Sequence, residues 1–133
     1  MQPFQKCPQC SQIWQDRADF LVDISVSLKE FKADLKNSIN GTFVFQHDLN
    51  GCAATLTLGI NHFIGLHPGP VFPQLAHLTA QCEGHCEASS DLSRCSANCS
   101  NANVRDVIQL ILAIHSKALR KSAAKAALAG MSF

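Results

Sequence analysis

Apolar and polar residues alternate with a period near two in the first half of the chain and near three and a half at its end. In Thr42-Phe-Val-Phe-Gln-His47 and Cys52-Ala-Ala-Thr-Leu-Thr-Leu58, β-branched and aromatic residues predict two strands. Asp48-Leu-Asn-Gly51 lies between them and carries the Asn-Gly turn signal, so the pair reads as a β-hairpin. A second turn signal, Asn40-Gly41, leads into the first of these strands. From Ile24 to Asp34 the apolar positions Val26, Leu28 and Phe31 alternate with a slip, which predicts a strand, although Leu28 to Leu35 also fits a helical period. Near the end, Val104, Val107, Ile108, Ile111, His115 and Ala118 recur at three- and four-residue spacing and predict a helix over 103–129. Asn103 is its expected cap, with Asp106 three residues on, and Gly130 its stop.

The remaining segments are less regular. Residues 11–21 are expected to form a short helix or irregular turn, with Ile13, Trp14, Phe20 and Leu21 turned inward. Residues 61–65 suggest a helical turn. His67-Pro-Gly-Pro-Val-Phe-Pro is expected to be a rigid loop, because three prolines in seven residues exclude regular structure.

Composition adds that the chain folds: 133 residues, 47% hydrophobic and 16% charged, are consistent with one soluble domain spanning 1–133. Its expected parts are 1–66, 67–81, 82–102 and the helix. A net charge of +1 gives no strong general attraction to nucleic acid or membrane. The charge is unevenly placed, however. No charged residue occurs from Leu49 to Cys82, and after Asp106 the only charges are Lys117, Arg120, Lys121 and Lys125. Those four offer a conceivable grip on nucleic acid or acidic lipid, but a solvated helix face is the simpler expectation. The N-terminus shows no apolar leader pattern, and no run reaches the roughly 18 apolar residues of a membrane span. A cytoplasmic location is therefore expected, where clustered thiols more often hold metal than form disulfides.

Six of the seven cysteines come as close pairs, Cys7/Cys10, Cys82/Cys86 and Cys95/Cys99, and the seventh, Cys52, follows His47 by five residues. Such spacing suits metal ligands or disulfide partners. Cys7-Pro-Gln-Cys10 resembles the knuckle of zinc ribbons and rubredoxins. That resemblance covers about five residues and implies a turn whose backbone N–H groups face the thiolates. It departs from the family at Ser11, where a glycine is usual, and His47-x4-Cys52 stands in place of a second Cys-x2-Cys. A tetrahedral ion needs two further ligands, and the hairpin offers His47 and Cys52 across its tip, a Cys3His set suited to structural zinc. His62 and His67 are the nearest substitutes for His47.

Cys82, Cys86, Cys95 and Cys99 form a second constellation. The favoured reading is four thiolates on one zinc, with His85 as a substitute ligand and the helix that follows helping to keep the thiols ionised. The other is a pair of short helices stapled by Cys82–Cys99 and Cys86–Cys95, similar to the twin Cys-x3-Cys chaperones of the mitochondrial intermembrane space. The expected fold class is thus α+β: a small antiparallel meander with a zinc-ribbon-like N-terminal knuckle, a Cys-rich segment and a long C-terminal helix.

The leading functional expectation is a non-enzymatic protein whose one or two zinc ions support a binding or regulatory module for a protein partner. The alternatives are a redox protein, with iron in the cysteine sites or reversible thiol chemistry, and a disulfide-stapled adaptor. No nucleophile–base signature, phosphate loop or dinucleotide motif points to an enzyme.

Overall fold

The computed structural model describes residues 2–36, 40–63, 65–66, 79–95 and 99–130, with side chains described to 127. Two antiparallel sheets and a long helix build it, an α+β architecture. The small sheet pairs β1 (Gln5–Lys6) with β2 (Ile13–Trp14) on either side of the first cysteine pair. A single short helix, α1 (Arg17–Val22), follows, capped by the Asp16 carboxylate on the Asp19 N–H at 2.8 Å. The main sheet is a three-stranded meander of β3 (Val26–Lys32), β4 (Thr42–Leu49) and β5 (Cys52–Gly59). A 3₁₀ turn at Ile60–Phe63 closes it, as the sequence predicts nearby.

The slip in the hydrophobic alternation of β3 is a β-bulge. Its register against β4 shifts between Leu28 and Glu30, so Val26, Leu28 and Phe31 all reach the buried face despite their mixed parity. The β4–β5 hairpin turns through Asn50 and Gly51 alone, both with positive φ (50° and 85°), as a two-residue turn matched to the strand twist requires. On the inward face Phe43, Phe45 and His47 of β4 stand beside Cys52, Ala54, Leu56 and Leu58 of β5, all buried. Polar Thr55 and Thr57 take the alternate, exposed positions.

The last helix, α2 (Ser100–Gly130), is 31 residues, about 46 Å, long. It starts three residues before the expected cap, so Asn103 lies within its first turns. The reason is burial: Cys99, Asn101, Ala102 and Val104 are all enclosed, and the Ala102 N–H closes on the Cys99 carbonyl at 2.9 Å. Val107, Ile108 and Ile111 complete the core-facing stripe, whereas residues 121–127 are exposed throughout. Ile13 is likewise exposed rather than inward (48%), because adjacent strand residues face opposite ways and Trp14 takes the core side. The proline-rich stretch 67–78 lies outside the described residues.

Residues 79–95 pass across this framework mostly as turns. The Ser89 carbonyl accepts the Phe31 N–H at 2.8 Å, and the Ser89 hydroxyl bonds Glu30, so this segment covers the free edge of β3. No described helix is long and apolar enough to cross a membrane.

Candidate metal centre

The first cysteine pair sits in the loop that joins β1 to β2. Cys7 N–H bonds the Gln12 carbonyl at 2.8 Å and Ser11 N–H bonds the Cys7 carbonyl at 3.1 Å, which folds Cys7–Cys10 into a closed turn. Ser11 has φ of 66°, the left-handed conformation that glycine adopts without steric cost. The departure from the knuckle pattern at this position is thus a change of residue and not of backbone. Ser11 is exposed, so Ser11→Gly is expected to leave contacts intact and raise stability by about 0.5–1 kcal/mol, read as a higher urea midpoint.

The hairpin carries the other two donors. His47 pairs with Ala54 across β4 and β5, and Cys52 lies two residues before Ala54 on the same face, so the two side chains meet diagonally near the tip. Gln9 reaches over the tip to accept the Ala53 N–H at 3.4 Å. The outcome is a cluster in which ligand atoms of Cys7, Cys10, His47 and Cys52 all lie within 4.8 Å of one another. His47 Nδ1 is 3.3 Å from Cys7 Sγ, 3.5 Å from Cys52 Sγ and 3.8 Å from Cys10 Sγ, and the Cys7 and Cys52 sulfurs are 3.6 Å apart. Such a set is compatible with a metal site. Cys7, His47 and Cys52 are buried, and Cys10 alone is exposed.

The electrostatics of the cluster are uneven. Burial by itself would raise the Cys7 thiol, but the N–H groups of Cys10 and Gln9, with the His47 and Cys10 side chains, outweigh it and bring the thiol down to about 6. The inward-facing N–H groups are those the knuckle resemblance implies. Cys52 goes the other way, to about 11, because burial and the neighbouring sulfurs of Cys7 and Cys10 oppose a second negative charge. A cation among the sulfurs removes that opposition. His47 turns Nδ1 to the sulfurs, and its Nε2 is buried with no hydrogen-bond partner among the described residues.

A brace that no sequence motif announces holds this arrangement from behind. The Trp14 ring stands edge-on to His47, 5.0 Å between centroids, and its Nε1 donates to Asp23 at 2.8 Å. Gln12 Nε2 also donates to Asp23, at 3.0 Å, as do the Ser25 hydroxyl and N–H. Partial burial would raise the Asp23 carboxyl, but these four donors hold it below its ordinary value. Its stabilisation is therefore complete above the ordinary carboxylate range and is lost as the pH falls through the lower folded-state value. Asp23→Asn is expected to cost about 1 kcal/mol at neutral pH, allowing for partial exposure, with the gap to the parent closing on acidification in thermal melts.

The second constellation is arranged differently. Cys82 and Cys95 pack against buried Cys99 in a small cluster of their own. Cys86 lies against the main core and instead accepts from Arg105 Nη2 at 3.4 Å and Asn101 Nδ2 at 3.7 Å. Among the described residues, the Cys3His set is the only gathering of histidine, cysteine and carboxylate donors this close. The helical staple lacks its first helix too: Gly84 is left-handed (φ 80°), and only the 3₁₀ turn His85–Glu87 follows. His85 is engaged with Asp91 at 2.8 Å and, at 3.7 Å, with Glu83. Hydrogen bonds from Ser93 and His85 hold the Asp91 carboxyl well below its usual range. Of the other histidines, His62 bonds the Gly59 carbonyl region through Nδ1 at 3.2 Å, and His67 is outside the described residues.

No family model, curated protein or solved structure matches the chain.

Proposed function

We propose that this is a zinc-binding, non-enzymatic protein whose Cys7, Cys10, His47 and Cys52 hold one structural ion that fixes a binding module. The observation that carries the reading is the spacing of the donors. With Zn–S near 2.3 Å and Zn–N near 2.0–2.1 Å, a tetrahedral ion requires about 3.8 Å between sulfurs and about 3.6 Å between sulfur and nitrogen. The Cys7–Cys52 sulfur separation, 3.6 Å, and the 3.3–3.8 Å from the three sulfurs to Nδ1 lie close to those edges, and the other two sulfur pairs lie within 4.8 Å. Three thiolates and one imidazole form a closed set common for structural zinc, whereas the rubredoxin iron that the knuckle alone suggests would take four thiolates.

Burial of three of the four ligands supports a structural role, because it leaves little access for a substrate or an activated water. Thiolate coordination also needs reduced cysteines, in keeping with the cytoplasmic location expected from the sequence. Under this reading Cys82, Cys86, Cys95 and Cys99 form a second zinc site only if Cys86 leaves Arg105 and joins the other three.

Native mass spectrometry with elemental analysis, on protein purified without chelator, tests the proposal. One zinc per chain, lost in a Cys7→Ser/Cys52→Ser variant, is the expected result. Two zinc ions would add the second site. Iron would replace this reading with the redox one, and a metal-free native protein would overturn it.

A further inference from the structure

Between α1 and the exposed half of α2 runs a groove of about 830 Å³, open to solvent on one side. Its floor is apolar: Leu21, Val22, Ile24, Ile114 and Ala118. Val22 and Ile24, adjacent at its edge, remain 53% and 44% exposed. The charged residues of its lining are all cationic, Arg17, Lys117 and Lys121, and none is acidic. Lys125 follows Lys121 at the same four-residue interval, so Lys117, Lys121 and Lys125 form a row along one helix face. Asp19 of α1, two residues from Arg17 and Leu21, is on the other side of that helix and outside the lining.

We infer that this groove docks an amphipathic helix of a partner protein, with its apolar face on the floor and a flank of carboxylates along the lysine row. The groove is partly open to solvent, so it can take a helix that is buried on one face only. The charge favours an extended acidic partner over a single anionic head group, because three cations spaced over two helical turns match carboxylates repeated at four-residue intervals. Bound in this way, a helix would cover Val22 and Ile24 and pack along α2 beyond Ile114, where the described residues leave the groove open.

The inference extends the binding-module reading and rests on it, but none of the four proposed zinc ligands lines the groove. The test uses the full, zinc-loaded chain and two fluorescent helical peptides with the same leucine face. One carries glutamates along its flank and the other carries lysines at the same positions. Fluorescence anisotropy is expected to show the acidic peptide binding roughly tenfold or more tightly, with the difference shrinking at high salt. Lys117→Glu/Lys121→Glu, at two exposed positions that leave the core untouched, is expected to reverse the preference.

Equal binding of the two peptides, binding of neither, or an acidic-peptide affinity unchanged by the charge reversal would overturn the proposal. So would sedimentation showing the face covered by a second copy of the chain, or lysine-dependent binding to anionic vesicles without peptide binding. Zinc measured on the same samples separates the two readings. Zinc-loaded protein without the preference removes the groove proposal alone, and zinc-free native protein that keeps it removes the metal proposal alone.

Discussion

Stripping the proposed zinc with a chelator is expected to unfold this protein, not to leave a folded apo form. Cys7 and Cys52 are members of the main core, in contact with the same cluster as Trp14, Phe20 and Phe45. The small sheet that presents Cys7 has only two residue pairs, too few to hold its position unaided. A structural zinc contributes ~10–16 kcal/mol of apparent binding free energy. Net domain stabilities are only about 5–15 kcal/mol, so loss of the ion removes an amount comparable to the whole. Circular dichroism should show cooperative loss of structure as chelator is added and recovery on adding back zinc. Cys52→Ser is expected to behave like the chelated parent, because a hydroxyl is a poor substitute for a thiolate donor. A metal-free protein with an unchanged melting temperature would sink the scaffold reading.

Replacement of Arg105 by Met should cost about 2–4 kcal/mol, a large loss for a change away from the candidate metal centre that keeps most of the side chain's volume. Arg105 is fully buried on α2 and has no carboxylate partner among the described residues. Its Nη1 donates to the carbonyls of Asp91 at 2.7 Å and Ser93 at 3.1 Å, its Nη2 reaches Cys86, and its guanidinium lies 5.4 Å from the Phe31 ring centre. Gln109 adds a bond to the Leu92 carbonyl at 2.7 Å, and Arg94 pairs with Asp106 at 2.9 Å. Together they strap residues 91–94 along α2. Methionine keeps most of the packing and loses the donors to the Asp91 and Ser93 carbonyls and to Cys86. Urea unfolding measures the cost, and hydrogen exchange over 85–95 should rise before the rest of the molecule exchanges. The opposite result, a more stable methionine variant, would mean that desolvating the guanidinium outweighs its hydrogen bonds, as it does in some buried ion pairs.

The β4–β5 hairpin and the two donors it brings to the cluster were legible because turn chemistry, strand period and donor spacing all act over a few residues. The knuckle was legible for the same reason, and even the bulge in β3 left its trace as a slip in the alternation. The start of α2 was misplaced because Asn103 and Asp106 imitate a capping pattern, while burial of Asn101 and Ala102 against distant residues sets the boundary. The Trp14–Asp23 brace left no local signal at all, since its four donors come from three separate residues and converge only after folding. For Cys82, Cys86, Cys95 and Cys99, spacing suggested one shared centre, yet Cys86 is drawn to Arg105. That arginine was visible as a charge on the apolar stripe three residues before Ile108, a place where solvation alone does not explain it.

The four donors come as two local couples, Cys7 with Cys10 and His47 with Cys52, separated by the 36 residues between Cys10 and His47. Either couple is short enough to catch an ion while the chain is still open. Capture by one then makes the ion a cross-link waiting for the other, and closing it brings the first strands of the chain onto the hairpin tip. A link of that span lowers the chain entropy of the unfolded state by the equivalent of about 3–4 kcal/mol. Under the zinc reading the ion would therefore also act on the order of assembly, tying the N-terminal knuckle to the hairpin tip before the intervening strand β3 must find its register.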